Sequence, residues 1–186
     1  NTHTCMCSIS ASVISLEDVP RVKHKPGTLR QETSTLRRLF PDLVSVPGVA
    51  TGTVPGSSLK AGERGCAMSH RTLWEVVAQR PDESPPVLVL EDDAILTVDF
   101  VRQLTTLIEG IEATWNEPSS RTIILYLCAD VAKWRGPNLH VEQGLGIREA
   151  AYLWQTAAYV IWGPAARVLL ASPASTIRKL TNEIPD

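Results

Sequence analysis

The sharpest feature in the hydropathy pattern is the run Val87-Leu88-Val89-Leu90, four apolar residues that give way at once to Glu91-Asp92-Asp93. A run without polar alternation predicts a strand covered on both faces, as in the middle of a parallel sheet. A similar run over 122–127 ends in Cys128-Ala129-Asp130. Upstream, Ile9, Val13, Ile14 and Leu16 predict a first strand over 8–16, and residues 43–46 predict a short second one. Between these two strands Thr28 can cap a helix reaching Phe40, with Leu29, Leu36, Leu39 and Phe40 on its apolar face; Pro41-Asp42 stops it. Strand, helix, strand makes parallel pairing with a right-handed crossover the default.

The rest of the pattern fills in around these runs. Residues 47–62 are rich in Gly, Pro, Ser and Thr and predict a long loop of the functional kind. Residues 61–70 lead into a helix ending near Gln79, in which Cys66, His70, Leu73/Trp74 and Val77 share a face. Phe100, Val101, Leu104, Leu107, Ile108 and Ile111 follow a 3.6-residue period, so a helix capped by Thr97 is expected from about 98 to 115. Residues 131–150 read as irregular. Gly144 and Gly146 follow no strand there and open no helix, which rules out a dinucleotide fingerprint. Residues 151–162 predict one or two buried strands carrying Gln155 and Thr156. Gly163-Pro164 then opens a short helix to Ala171. The last residues, 176–186, read as the entry to an element continuing beyond Asp186, a C-terminal truncation.

Composition narrows the class. A length of 186 residues with 44% hydrophobic and 20% charged residues fits a single α/β domain with a real core. The net charge of −2 and the lack of basic runs argue against a nucleic-acid partner. No apolar stretch approaches the ~20 residues of a membrane span. Nothing forces an oxidising compartment, so a cytoplasmic location is favoured; the start at Asn1 leaves room for a removed leader and the secretory lumen. Of the four cysteines, Cys5 and Cys7 lie near His3 but lack a second ligand pair at zinc spacing. Cys66 and Cys128 sit in apolar contexts and are expected to pack as small hydrophobes.

Candidate chemistry starts at the acids. In an open α/β sheet, ligands bind beyond the carboxyl ends of the strands. Three adjacent carboxylates there repel one another unless a cation sits among them. Oxygen ligands suit a hard divalent ion, Mg²⁺ or Mn²⁺. Glu91, Asp92 and Asp93 are the candidate metal ligands. Against this stands the plainer reading that the acids open a loop and cap the next helix.

The opening strand Val13-Ile14-Ser15-Leu16 with Pro20-Arg21, the block GERGCAMSHRTLW at 62–74, VLVLEDDAIL at 87–96 and TAAYVIWGPAARVLL at 156–170 together resemble glycosyltransferase family 25. Ile184-Pro185-Asp186 stands where the family carries an acid-bearing tail. The resemblance is thin over 22–60 and 131–150, and the family's Val-Asp-Gly turn is missing from the first of these. It implies a GT-A-like nucleotide-sugar-binding fold with a mostly parallel central sheet flanked by helices. It also implies that the acidic block serves as the superfamily's Asp-x-Asp metal motif, with Asp93 the favoured ligand. By the same resemblance Ser15, Leu16 and Glu17 lie under the nucleoside, Gly65, Ser69 and His70 line the site, and Thr156 and Tyr159 sit near sugar or acceptor. The implied reaction is an inverting, metal-dependent transfer of a hexose, galactose in this family, from a UDP-hexose to a glycan or hydroxylated side chain. Inversion needs a base for the acceptor hydroxyl, for which Asp130 and Asp186 are candidates, with His70 a further catalytic candidate. The alternatives are a catalytically inactive glycosyltransferase-like binding module and, further off, a metal-dependent phosphoesterase.

Overall fold

The computed structural model describes residues 9–15, 40, 42–49, 60–91, 94–140 and 146–171. In chain order they form β1 (Ser10–Ser15), β2 (Val44–Pro47), α1 (Ala61–Ala78), β3 (Val87–Glu91), α2 (Phe100–Thr114), a 3-10 turn at Pro118–Ser120, β4 (Ile124–His140), β5 (Gly146–Ile161) and α3 (Gly163–Ala171). The helix expected over 28–40 falls outside the described residues except for Phe40, which is buried. His3, Cys5, Cys7 and the tail over 176–186 also lie outside them.

The strands form one sheet in the order β2-β1-β3-β5-β4. β1 pairs in parallel with both β2 and β3, whereas β5 is antiparallel to both β3 and β4. The sheet is therefore mixed, where a mostly parallel one was expected. The connection explains the difference. Only residues 141–145 separate β4 from β5, a hairpin length, whereas a parallel pair needs a crossover of about a dozen residues or more.

The expectation of an irregular segment over 131–150 is also corrected. β4 and β5 stay paired as far as Leu139↔Ile147 and His140↔Gly146. The pairing shifts register between Tyr126 and Cys128, again near Val131 to Trp134, and between Arg135 and Asn138. Gly136 lies at φ 67°, a left-handed conformation that suits glycine. Bulges of this kind interrupt the two-residue alternation that marks a strand in sequence.

The core follows from alternation along β3. Val87 and Val89 point to the face covered by α1 and α3, where they pack with Leu73, Val77, Tyr159, Ile161 and Ala165. Leu88 and Leu90 point to the α2 face, with Leu104, Ile108, Ile111 and Trp162. All four are at most 3% exposed, as expected of a strand covered on both faces. Burying each such side chain is worth about 1.5–3 kcal/mol. α2 starts at Phe100 with Asp99 rather than Thr97 at its N-cap, because Val98 and Asp99 first make a turn closed by Phe100 N–H to the Thr97 carbonyl at 3.1 Å. The parallel strands bring their carboxyl ends to one rim, where Ser15 is level with Pro47, and Ile14 with Glu91. No helix among the described residues is long and apolar enough to cross a membrane.

Candidate functional site

Glu91 is the last residue of β3. By alternation it shares the face of Val87 and Val89, the face that α1 covers. α1 begins well before its apolar stripe because Glu63, in the first turn, accepts a hydrogen bond from the Lys60 backbone N–H at 2.7 Å. That carboxylate satisfies an end donor and sits favourably at the positive end of the helix dipole. Further along α1, Gly65, Ser69, His70, Leu73 and Val77 are buried against the sheet. Ser69 is tied locally: its hydroxyl donates to the Gly65 carbonyl at 2.9 Å and accepts from Val49 N–H at 2.7 Å. The loop after β2 is thereby pinned to α1.

His70 sits between α1 and the sheet, 3% exposed, and joins three elements. Its Nε2 lies 3.1 Å from Glu91 Oε1, and its Nδ1 lies 2.8 Å from the Tyr159 hydroxyl on β5. The Trp74 indole N–H donates to the same hydroxyl at 2.9 Å. Cys66, one turn before His70, places Sγ 3.8 Å from Glu91 Oε1. Burial opposes charge on the imidazole, but hydrogen bonding and charge from Cys66 and Glu91 outweigh it and raise the His70 pKa from 6.5 to about 9. At neutral pH the ring is an imidazolium that donates from both nitrogens. Burial raises the Tyr159 pKa in turn, so the phenol stays protonated.

The predicted residues separate into groups. Gly65, Ser69, His70, Tyr159 and Glu91 come together around α1 and the sheet. Tyr159, expected beside sugar or acceptor, is 1% exposed and occupied by His70 and Trp74. Ser15 lies on the same rim as Glu91, whereas Leu16, Glu17, Asp92, Asp93 and Asp186 lie outside the described residues. Asp130 is not at a strand end: it pairs with Trp154 inside the long β4. β4 runs in the direction of β3, since β5 is antiparallel to both, and Cys128↔Ala158↔Leu90 puts Asp130 past the end of β3 on the carboxyl-end side. Thr156 belongs to β5, between that pairing and the paired Trp154.

Cys66 and Cys128, expected to pack as small hydrophobes, are both solvent-exposed. Cys66 stands one turn before the buried His70 on α1, and its thiol lies beside Glu91 at the rim while staying open to solvent. Sequence reasoning missed Cys66 as a member of this cluster. Its signal was the i, i+4 spacing to His70, which makes two helical residues neighbours on one face.

The family model for glycosyltransferase family 25 (LPS biosynthesis protein) matches residues 50–181. The chain is 33% identical over 167 residues to a human protein named inactive glycosyltransferase 25 family member 3, covering 87% of this chain and 26% of that protein. It is 28% identical over 134 residues to procollagen galactosyltransferase 1 of Danio rerio, covering 70% and 21%, and 29% identical over 117 residues to procollagen galactosyltransferase 2 of Mus musculus, covering 61% and 17%. The chain thus spans about a quarter or less of the length of these relatives. The family match over most of the chain joins the blocks around His70, Glu91 and Tyr159 that the fold brings together, and the chain belongs to glycosyltransferase family 25.

Proposed function

We propose that this chain carries the donor-binding part of a metal-dependent hexosyltransferase that takes galactose from UDP-galactose to a hydroxyl acceptor with inversion. The observation that carries this reading is the anchoring of Glu91. The first acid of Glu91-Asp92-Asp93 stands at the carboxyl end of a fully buried strand, held by His70 from α1, which is itself held by Tyr159 from β5. A carboxylate hydrogen-bonded from behind by a buried ring keeps its orientation, which is what a ligand for a hard ion requires. The donor set also fits in kind, since Glu91, Asp92 and Asp93 offer oxygen ligands of the sort Mn²⁺ and Mg²⁺ prefer. When bound, the ion supplies Lewis-acid stabilisation of the charge that grows on the departing diphosphate.

The residues of the chain itself divide the remaining work. Glu91, Asp92 and Asp93 hold the ion; Ser15, at the end of β1 on the rim of Glu91, receives the nucleoside together with Leu16 and Glu17. Tyr159 is a positioning residue that acts through His70. Asp130 and Asp186 are the two candidates for the base that takes the acceptor proton. The relatives named procollagen galactosyltransferase support the choice of galactose and a hydroxylated side chain as acceptor.

A second reading is a binding module that holds donor without transferring sugar. It is favoured by relatives whose names include the word inactive. Calorimetric titration of UDP, and then UDP-galactose, into metal-free protein tests the first reading. Binding is expected only with Mn²⁺ and is expected to vanish in Asp93→Ala with the fold unchanged. Binding without Mn²⁺, or an Asp93→Ala variant as competent as the parent, would remove the metal assignment. Binding with no transfer to any hydroxyl acceptor, in this chain and in longer versions of it, would select the second.

A further inference from the structure

Cys66, His70 and Glu91 do something the hard-ion reading does not use. One ligand atom from each lies within 4.8 Å of the other two. They combine a sulfur, a nitrogen and an oxygen. We propose that these three side chains form a binding site for a borderline-soft divalent cation, Zn²⁺ in its chemistry, an alternative to the hard-ion site with which it shares Glu91.

Two of the three distances already match a single ion. With metal–ligand bonds of about 2.0–2.3 Å, a tetrahedral zinc site has edges of roughly 3.3–3.8 Å between its ligand atoms. The Nε2–Oε1 edge here is 3.1 Å and the Sγ–Oε1 edge is 3.8 Å. The third pair, thiol to imidazole, is bounded only by the 4.8 Å that encloses all three atoms, so closing the site takes a shift of up to about an ångström, which the rotatable Cys66 side chain can supply. The ring is already oriented: Nδ1 is engaged by the Tyr159 hydroxyl, so Nε2 is the nitrogen turned to Glu91. A partner on the far ring nitrogen is the usual support of a ligating histidine. The i, i+4 spacing on α1 holds Cys66 and His70 on one helix face. Cys66 is exposed, which gives the ion a way in and leaves a fourth position open to solvent. A thiolate in the set selects zinc-like ions over Mg²⁺ or Mn²⁺. Binding would displace the protons now shared among the three groups.

The site stands on these residues alone. Its consequence for the donor rests on the function proposed above: an ion that draws Glu91 to Cys66 and His70 withdraws a ligand from the hard ion, so Zn²⁺ should oppose Mn²⁺-supported UDP binding.

The test is a Co²⁺ titration of the full chain carrying Cys5→Ser, Cys7→Ser and Cys128→Ser, so that Cys66 is the only thiol, in a thiol-free reductant. One equivalent of Co²⁺ is expected to produce a thiolate-to-cobalt charge-transfer band, and Zn²⁺ to bleach it. Cys66→Ser should abolish the band, and Glu91→Gln should weaken Co²⁺ binding by at least about tenfold, the low end of what even outer ligand-shell changes cost. Asp93→Ala should keep the band. Absence of the band in a folded triple-serine protein, or its persistence after Cys66→Ser, overturns the site. A missing band alongside intact Mn²⁺-dependent UDP binding removes this inference alone. A Cys66-dependent band without UDP binding keeps the site and removes the proposed function.

Discussion

Two parts of the sheet are built on opposite plans. Around β3, the four residues Val87 to Leu90 are covered on both faces, and a chain of polar groups, Glu91–His70–Tyr159–Trp74, closes the end of the strand. Beyond Asp130, β4 and β5 run on as a two-stranded ribbon with repeated register shifts and exposed side chains such as Trp134, 46% exposed and stacked under the Arg148 guanidinium at 4.9 Å. In the first part, each interaction is buried or half-buried and linked to the next. In the second, Arg135–Glu149 at 3.4 Å and the Trp134–Arg148 pair stand in water. The lesson concerns where a polar residue is costly to change. Buried hydrogen-bonded groups impose large penalties when a partner is lost, and solvated pairs do not.

That contrast breaks most clearly at His70. His70→Ala leaves the Glu91 carboxylate without its cation and the Tyr159 hydroxyl and Trp74 indole with a hole beside them. Guanidinium unfolding should show a loss of about 3–5 kcal/mol, the range for breaking a buried charge pair. A loss below about 1 kcal/mol would mean the node is not a structural unit.

The same node should respond to pH. Because the folded-state pKa of His70 is raised to about 9 from 6.5, the imidazolium adds stability that is fully present below pH 6.5. It declines as pH rises between 6.5 and 9 and is gone above 9. With 1.36 kcal/mol per pKa unit, the full loss is on the order of 2–3 kcal/mol, reduced somewhat because Glu91 keeps 28% of its side chain in water. Denaturant midpoints measured with EDTA across this window should fall in the parent, fall less in Glu91→Gln, and stay nearly level when Cys66→Ser is added to it. An unchanged slope in Glu91→Gln would detach His70 from Glu91.

The ribbon supplies the smallest effect. Trp134→Ala should cost no more than about 0.5–1 kcal/mol, the worth of an exposed cation–π contact. A loss as large as that of His70→Ala would erase the distinction between the two regions.

Much of the first region was legible in the sequence. Val87 to Leu90 lack polar alternation, so a strand buried on both faces follows from the residue types alone, and the abrupt change to acids marks its end. The helical period around Cys66, His70, Leu73 and Val77, and that of Leu104, Ile108 and Ile111, likewise depends only on neighbours along the chain. Short-range rules reach this far because helix and strand periods are local. The direction of β5 was not legible, since pairing depends on which strand lies alongside and the β4–β5 bulges scramble the alternation. Nor could spacing tell that His70 would meet Glu91, Tyr159 and Trp74, residues up to 89 positions away. The sequence by itself determined the periodic elements, the acids after β3 and the family. Tertiary structure alone decided the mixed sheet, the outward thiol of Cys66 and the charge of His70, because pairing direction, burial and pKa are set by groups that only folding brings into contact.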